Sequence, residues 1–273
     1  MHLYDQDHIR NFYNDYGELE TSRWDKSIIE KVKFQVHQHY LTKHIQPGDV
    51  VLELGAGTGM FTKEIIKNSK GLVVTDLSPV QLDLNKKRAS DSGYLDSIQQ
   101  WALVDICDLS PFDDQQFDKV VCYGGPLSYV FEKDTVALGE IKRVLKPNGI
   151  ALLSVMNLWG SINQSMTSIL TISKEDNDKI ISTGNLHPST FTDSSHHCHM
   201  YRSEEFIATL QESGFEIIAL SASNCLSTRR AEDLEAMESD PDKWAYFMDL
   251  EISASKSPGM IDSGSHMIVV VRA

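Results

Sequence analysis

A stretch that combines glycines with an acid occupies residues 50–61, which read VVLELGAGTGMF. Glu53 lies near the end of an apolar run, and glycines follow at 55, 57 and 59. This pattern predicts a buried strand, a glycine turn and the first turn of a helix. Because glycine has no side chain, the backbone of such a turn can approach a ligand closely, and the free N–H groups of the helix start point at the same place. The stretch therefore predicts a binding site built largely from backbone.

Two further acids end predicted strands downstream of this turn. Asp76 ends the run Leu72–Asp76, and Asp105 ends the run Trp101–Asp105. Asp76 follows Gly55 at about the 20-residue spacing at which a carboxylate binds a ribose in nucleotide-binding α/β proteins. One carboxylate can accept hydrogen bonds from both ribose hydroxyls.

Alternating strands and helices must position these residues. Phe117–Cys122 and Ile150–Val155 are predicted strands, and the segments between strands have helical patterns. Ser78, Pro79 and Gln81 predict a helix start in which serine caps, proline takes the first position and glutamine completes a capping box. Continuous apolar strands separated by helices indicate a parallel sheet covered on both faces. Ligands of such sheets bind outside the carboxyl ends of the strands.

The glycine spacing distinguishes two kinds of nucleotide-binding protein. A dinucleotide fingerprint reads G-x-G-x-x-G, but Met60 stands in the place of its third glycine. An acid, three alternating glycines and a second-strand acid resemble instead the class I S-adenosylmethionine-dependent methyltransferases. Three further stretches resemble motifs of that family in the same order, and they are Asp105–Leu109, Pro111-Phe112 with Phe117–Val121, and Ile141–Gly149. The resemblance covers about residues 46–156, and Phe206 to Phe215 extends it.

The resemblance implies a Rossmann-like, doubly wound α/β fold whose mostly parallel, seven-stranded sheet has an antiparallel last strand. That strand, His266–Arg272, is expected to insert beside the strand Phe215–Leu220. We expect a helical lid over residues 1–45, a cofactor-binding core over 46–156, a lid insertion over 157–202, and the rest of the core over 203–273 with a helical insertion at 224–263.

The resemblance also implies S-adenosylmethionine as the cofactor, and it implies roles for residues at the strand ends. The backbone of the glycine turn would lie against the methionine moiety of the cofactor. Glu53 would lie near the ammonium group of that moiety or hold the turn. Asp76 would accept the ribose hydroxyls, and Asp105 would meet the adenine amino group. The predicted cofactor-binding residues are Glu53, Gly55, Ala56, Gly57, Asp76, Leu77, Asp105, Ile106, Tyr123 and Gly124.

Aromatic residues are candidates for the acceptor side of the site. Tyr13, Tyr16 and Trp24 from the N-terminal segment, with Ser128 and Tyr129 after the fourth strand, are predicted to line the acceptor pocket. Aromatic side chains with polar tips suit a lid over a ligand. The alternative is that the N-terminal aromatic residues pack the first helix onto the sheet.

The stretch His196–Arg202 contains three histidines and a cysteine. We predict no metal site there, because adjacent residues on a strand point to opposite faces, so at most His197 and His199 share one. A histidine in the acceptor pocket could act as a general base near neutral pH. His197 and His199 are the candidate bases, and the alternative is an ordinary polar strand.

Composition limits the class of partner and the location. The formal net charge is −14 and no run of Lys or Arg occurs, which argues against a nucleic-acid partner. The four cysteines occur singly, as expected in a reducing compartment. No apolar run approaches the roughly 20 residues that span a bilayer. We expect a cytoplasmic protein that acts on a small molecule without a membrane partner, and no oligomeric state is predicted.

Three functions are compatible with these observations. The favoured one is methyl transfer from S-adenosylmethionine to an O, N or S nucleophile of a small molecule by direct displacement. An NAD(P)-dependent oxidoreductase is disfavoured at Met60. The third is a non-catalytic protein that binds S-adenosylmethionine.

The Asp76→Ala substitution tests the ribose assignment. We expect the affinity for S-adenosylmethionine to fall by roughly 100-fold, because two hydrogen bonds to a charged group are lost. Isothermal titration calorimetry measures the change, and an unchanged affinity would contradict the assignment.

Overall fold

A computed structural model of the protein describes residues 2–24, 26–194 and 196–273. In chain order its α-helices and strands are α1 Gln6–Tyr16, α2 Leu19–Arg23, α3 Ile28–His44, β1 Val50–Glu53, α4 Thr62–Asn68, β2 Gly71–Asp76, α5 Pro79–Asp91, β3 Ile98–Leu103, β4 Phe117–Cys122, α6 Asp134–Val144, β5 Leu145–Met156, α7 Leu158–Gln164, α8 Met166–Ile169, α9 Lys174–Thr183, β6 Asn185–Leu186, β7 Cys198–His199, α10 Ser203–Glu212, β8 Glu216–Ala222, α11 Ala231–Glu238, α12 Pro241–Ser255 and β9 His266–Arg272.

Seven of the strands form one sheet in the order β3-β2-β1-β4-β5-β9-β8. The pairs from β3 to β5 are parallel, whereas β9 runs antiparallel to both β5 and β8. The predicted fold class is therefore confirmed, including the insertion of His266–Arg272 beside the sixth strand of the sheet. The third strand was placed too late, because β3 ends at Leu103 and Asp105 lies in the loop that follows.

Side chains that alternate along the strands divide between two cores. Val120 and Leu153 pack on one face with residues of α6 and α10, while Val121 and Leu152 pack on the other with residues of α3, α4, α5 and α11. Both faces are buried, which is why these strands read as continuous apolar runs rather than as alternating ones.

A third, smaller apolar cluster joins α1 to the segment between β5 and α10. Ile9 of α1 packs there with Tyr129, Leu158, Ile180 and Met200. Because Tyr129 and Leu158 follow the carboxyl ends of β4 and β5, this cluster covers the edge of the sheet at which ligands of α/β proteins bind.

The start of α5 differs in part from its prediction. Ser78 caps the helix by accepting a hydrogen bond from the Gln81 N–H at 3.1 Å, and Pro79 is the first helical residue. The Gln81 side chain does not complete a capping box. It donates instead to the carbonyls of Tyr13 at 3.0 Å and Gly17 at 3.1 Å, and so attaches the end of α1 to α5. Within the described ranges, no helix has both the length and the apolar character needed to cross a bilayer.

Two helical glycines give a matched test of this packing. A Cβ on Gly160 of α7 would lie 1.8 Å from the Gly264 carbonyl oxygen, whereas a Cβ on Gly139 of α6 would meet nothing within 4 Å. We expect Gly160→Ala to lower the free energy of unfolding by about 1–3 kcal/mol or more, because backbone must move. Gly139→Ala should raise it by about 0.5–1 kcal/mol, because alanine favours helix.

Urea unfolding followed by circular dichroism measures both changes. Equal effects of the two substitutions would contradict the close contact of α7 with the segment before β9.

Candidate functional site

A cleft of about 940 Å³, its open mouth included, lies at the carboxyl ends of the parallel strands. It is bounded by the turn after β1, the residues that follow β2, β3 and β4, and the N-terminal segment that contains α1 and α2. The structure brings all ten predicted cofactor-binding residues to its wall, namely Glu53, Gly55, Ala56, Gly57, Asp76, Leu77, Asp105, Ile106, Tyr123 and Gly124.

The glycine turn after β1 depends on the absence of side chains. Gly55 and Gly57 have φ of +62° and +54°, a region that L side chains rarely adopt. A Cβ on Gly55 would also lie 2.4 Å from Cγ of Pro126, which follows β4. The turn is fixed by the Ala56 N–H, which donates to the Thr75 carbonyl at 2.9 Å. The result is a rigid stretch of bare backbone at the floor of the cleft.

Asp76, at the end of β2, is bound to this turn through its carboxylate. Its two oxygens accept from the N–H groups of Gly57 and Ser78, each at 2.8 Å. Burial raises the pKa of Asp76 to about 6 despite these donors. Each oxygen keeps a lone pair, so the carboxylate can accept two more hydrogen bonds from a ligand.

Glu53, at the end of β1, is buried beside Asp76. Its carboxylate accepts a hydrogen bond from the Thr62 hydroxyl at 2.7 Å, and the amide of Asn85 donates to that hydroxyl at 3.0 Å. Burial raises the pKa of Glu53 to about 8, and the charge of Asp76 adds to the shift. Glu53 thus connects β1 to α4 and α5 and is largely protonated at neutral pH.

Asp105 receives a partner from the far N-terminus that no sequence signal singles out. One oxygen accepts from the Cys107 N–H at 2.8 Å, and the other accepts from the Tyr4 hydroxyl. Tyr4 also lines the cleft. The N-terminal segment therefore reaches the end of the cleft that Asp105 defines.

The predicted acceptor residues divide into two groups. Tyr13, Trp24 and Tyr129 line the cleft, and the Tyr13 hydroxyl donates to that of Tyr129 at 2.6 Å. Tyr16 is not part of the lining and stacks on the ring of Phe12. Ser128 does not line the cleft either. Its buried hydroxyl accepts a hydrogen bond from the Met156 N–H and so joins the loop after β4 to the end of β5.

An ion pair accompanies these aromatic residues at the cleft wall. Arg23 donates to the Glu20 carboxylate at 2.7 Å, and both residues line the cleft. The guanidinium lies 4.9 Å from the ring centroid of Trp24, a cation–π contact. Arg23 was not predicted as a site residue, because a single Arg in a mixed polar helix has no distinctive pattern.

The predicted bases His197 and His199 do not line the cleft. Both ring nitrogens of His199 are engaged, one with the Asn185 side chain at 2.7 Å and the other with the Glu205 carboxylate at 2.9 Å. His197 stacks on His8 of α1 with ring centroids 3.7 Å apart. His199 therefore joins β7 to α10, His197 packs against α1, and these positions do not support a catalytic role for either.

Comparisons with known proteins relate this chain to methyltransferases. Residues 51–149 match the sequence model of a family described as "Methyltransferase domain". An uncharacterised protein of Methanocaldococcus jannaschii is 30% identical over 145 residues, which are 53% of this chain and 52% of that protein. The ubiquinone/menaquinone biosynthesis C-methyltransferase UbiE of Teredinibacter turnerae is 34% identical over 112 residues, which are 40% of this chain and 43% of that protein. The chain thus spans about half the length of the curated relatives it matches.

Solved structures show the same fold at low sequence identity. An S-adenosylmethionine dependent methyltransferase from Mesorhizobium loti has a TM-score of 0.57 at 15% identity, covering 87% of this chain and 98% of that one. A SAM-dependent methyltransferase from Methanosarcina mazei has a TM-score of 0.56 at 17% identity, covering 85% and 96%.

The raised pKa of Glu53 predicts a pH-dependent effect on stability. A carboxyl whose pKa rises from 4.5 unfolded to about 8 folded stabilises the fold at low pH, and this contribution is lost as the pH rises through 8. The free energy of unfolding of the native protein should therefore fall by about 3–5 kcal/mol between pH 5 and pH 9, when it is measured relative to that of Glu53→Gln, which has no such group.

Urea unfolding over this pH range measures the difference. Glu232→Gln, on the exposed start of α11, is the control and should follow the native curve. A Glu53→Gln curve parallel to the native one would contradict the buried, protonated state of Glu53.

Proposed function

We propose that the chain is a class I S-adenosylmethionine-dependent methyltransferase and that it methylates a small-molecule acceptor, a proposal supported by the match of residues 51–149 to a methyltransferase domain. The observation that carries the proposal is the combination of bare glycine backbone with two carboxylates, Asp76 and Asp105, along one cleft. When bound there, S-adenosylmethionine supplies a methyl group already activated by its sulfonium.

The residues of the cleft fit this cofactor on grounds of their own chemistry. Asp76 has two lone pairs left for ribose hydroxyls, and Asp105 has capacity beyond its bonds to Cys107 and Tyr4. The side chains of Leu77 and Ile106 give an apolar setting for a purine ring. Glu53 would hold the glycine turn and ionise beside an ammonium group, because a nearby cation lowers the pKa of a carboxyl.

Arg23 is a further residue that fits the cofactor. It is a fixed cation at the cleft wall, and its partner Glu20 would lie 3.7 Å from a Cβ on Gly57. A guanidinium at that place suits the carboxylate of the methionine moiety, since Arg binds carboxylates with paired N–H donors.

The remaining lining supports a small acceptor rather than a macromolecule. The aromatic rings of Tyr13, Trp24, Phe61, Tyr123 and Tyr129 surround the space next to the glycine turn. These rings exclude water from the acceptor. The main contribution of the protein to methyl transfer is then to orient the acceptor towards the methyl group. We expected an O, N or S nucleophile. Because some relatives are named as C-methyltransferases, carbon nucleophiles must be tested as well.

A cytoplasmic location and the absence of a nucleic-acid partner remain part of this proposal. The four cysteines are all free, which suits a reducing compartment. The net charge of −14 opposes binding to a polyanion.

Calorimetry with S-adenosylmethionine, S-adenosylhomocysteine, NADH and NADPH tests the proposal first. We expect the two adenosyl sulfur compounds to bind and the nicotinamide nucleotides not to bind, because Met60 replaces the third fingerprint glycine. Tighter binding of NADH or NADPH would favour the oxidoreductase alternative.

Turnover to S-adenosylhomocysteine with a panel of small hydroxyl, amine, thiol and carbon nucleophiles is the second test. Methylation of a panel member is the expected result. Cofactor binding without turnover across the panel would favour the non-catalytic alternative.

A further inference from the structure

Tyr4 joins the N-terminal segment to the end of the cleft at which Asp105 lies. Its hydroxyl donates to one oxygen of the Asp105 carboxylate at 2.5 Å, although the two residues are 101 positions apart in the chain. The other oxygen accepts from the Cys107 N–H at 2.8 Å, in the turn that follows β3. Tyr4 is half-buried and itself lines the cleft. It therefore orients, from inside the cleft, a carboxylate that we propose binds the cofactor.

The bond from Tyr4 fixes a side chain that the sheet does not fix. β3 ends at Leu103, so Asp105 lies in the loop beyond the strand. Hydrogen bonds from a neutral donor to a carboxylate are stronger than those between neutral groups. Burial raises the pKa of the Tyr4 hydroxyl, and its bond to Asp105 raises it further, so Tyr4 is a donor at neutral pH. Each Asp105 oxygen still has a lone pair for a ligand.

Tyr4 is held in place by contacts on both sides of it in the chain. The Leu3 N–H donates to the Glu132 carboxylate at 3.0 Å, in the segment that follows β4. The ammonium group of Lys133 lies 4.8 Å from the centroid of the Tyr4 ring, a cation–π contact. Asp5 caps the start of α1. The phenol ring is thus fixed between the loops after β3 and β4 and the first helix.

The surroundings of Asp105 distinguish two kinds of purine. Val104 and Ile106 are buried and line the cleft with Tyr4, so little except the carboxylate is polar among these side chains. An ionised carboxylate only accepts hydrogen bonds. The amino group of adenine donates them, whereas the carbonyl oxygen at the same position of hypoxanthine only accepts. A carboxylate that cannot turn away therefore favours the adenine base.

We propose that Tyr4 is a positioning residue that sets the base specificity of the cofactor site, because it fixes the Asp105 carboxylate towards the base. This role rests on the proposed function, since it requires a nucleoside whose base lies at Asp105. Without the Tyr4 hydroxyl, one oxygen of Asp105 loses its donor and the carboxylate can rotate towards solvent. The site would then bind adenine less tightly and reject a carbonyl oxygen less strongly.

Isothermal titration calorimetry of the full chain with S-adenosylhomocysteine and S-inosylhomocysteine tests this role. The two compounds differ only at the base, where a carbonyl oxygen and a ring N–H replace the amino group and a ring nitrogen. We expect the native protein to bind S-adenosylhomocysteine roughly 100-fold more tightly, because the inosyl oxygen meets a carboxylate oxygen.

Tyr4→Phe retains the ring and removes only the hydroxyl. It should weaken the binding of S-adenosylhomocysteine about tenfold and change that of S-inosylhomocysteine by no more than about twofold, so the preference falls by almost tenfold. Tyr4→Ala also removes the ring and should weaken the binding of both compounds. Tyr16→Phe is the matched control, because Tyr16 belongs to the same N-terminal segment but does not line the cleft, and both affinities should stay native.

Tyr4 precedes the first helix, and Tyr4→Phe keeps its apolar contacts, so we expect the variants to fold, which circular dichroism checks. An equal loss of affinity for both compounds in Tyr4→Phe would overturn the specificity role and leave Tyr4 as a cover of the cleft. Unchanged or tighter binding of S-adenosylhomocysteine by Tyr4→Phe would overturn it as well.

The native protein separates this role from the proposed function. Failure of the native protein to bind S-adenosylhomocysteine would overturn the proposed function itself. Tight binding of S-adenosylhomocysteine and equally tight binding of S-inosylhomocysteine would retain the proposed function and overturn the role of Tyr4, because Asp105 would then not select the base.

Discussion

Two buried carboxylates at the ends of neighbouring parallel strands are the constraint on which the rest of the site depends. Asp76 is held by the N–H groups of the glycine turn and of Ser78, and Glu53 by the Thr62 hydroxyl. Burial raises the pKa of both, which means that ionising them costs free energy of folding. Two such groups side by side lower the stability of the fold, and they leave polar groups free to bind a ligand.

The cover of the cleft is attached to the same elements that hold these groups. Gln81 of α5 donates to two carbonyls at the end of α1, and the Ser78 hydroxyl donates to the Asn14 side chain at 2.7 Å. Tyr4 donates to Asp105 on the opposite side of the cleft. Movement of the N-terminal segment away from the cleft would break these hydrogen bonds, so the position of this segment is coupled to the residues that we propose bind the cofactor.

Most of the features that the sequence predicted correctly are local along the chain. Strands that are buried on both faces read as apolar runs, glycines with positive φ are needed in one tight turn, and the acids follow strand ends, so these features carry direct signals at 50–61 and Asp76. The part of the cleft wall that is predicted to bind the cofactor is made mainly of such features. This is why its ten predicted residues come together in one cleft.

Features that depend on long-range packing gave no such signal. Tyr4 and Arg23 reach the cleft from the N-terminal segment, and no pattern in the neighbouring residues predicts this. Conversely, the density of histidines at 196–199 indicated chemistry, but pairing with Asn185 and Glu205 fixes His199 away from the cleft. The side-chain amide of Gln81 likewise donates to carbonyls at the end of α1 and does not bond to the start of its own helix.

A crystal structure of the protein grown with S-adenosylhomocysteine would locate the nucleoside directly. We expect its ribose hydroxyls within hydrogen-bond distance of the Asp76 carboxylate, and its adenine amino group beside Asp105. Electron density for the nucleoside elsewhere on the molecule, or an Asp76 carboxylate without contact to it, would contradict the proposed cofactor site.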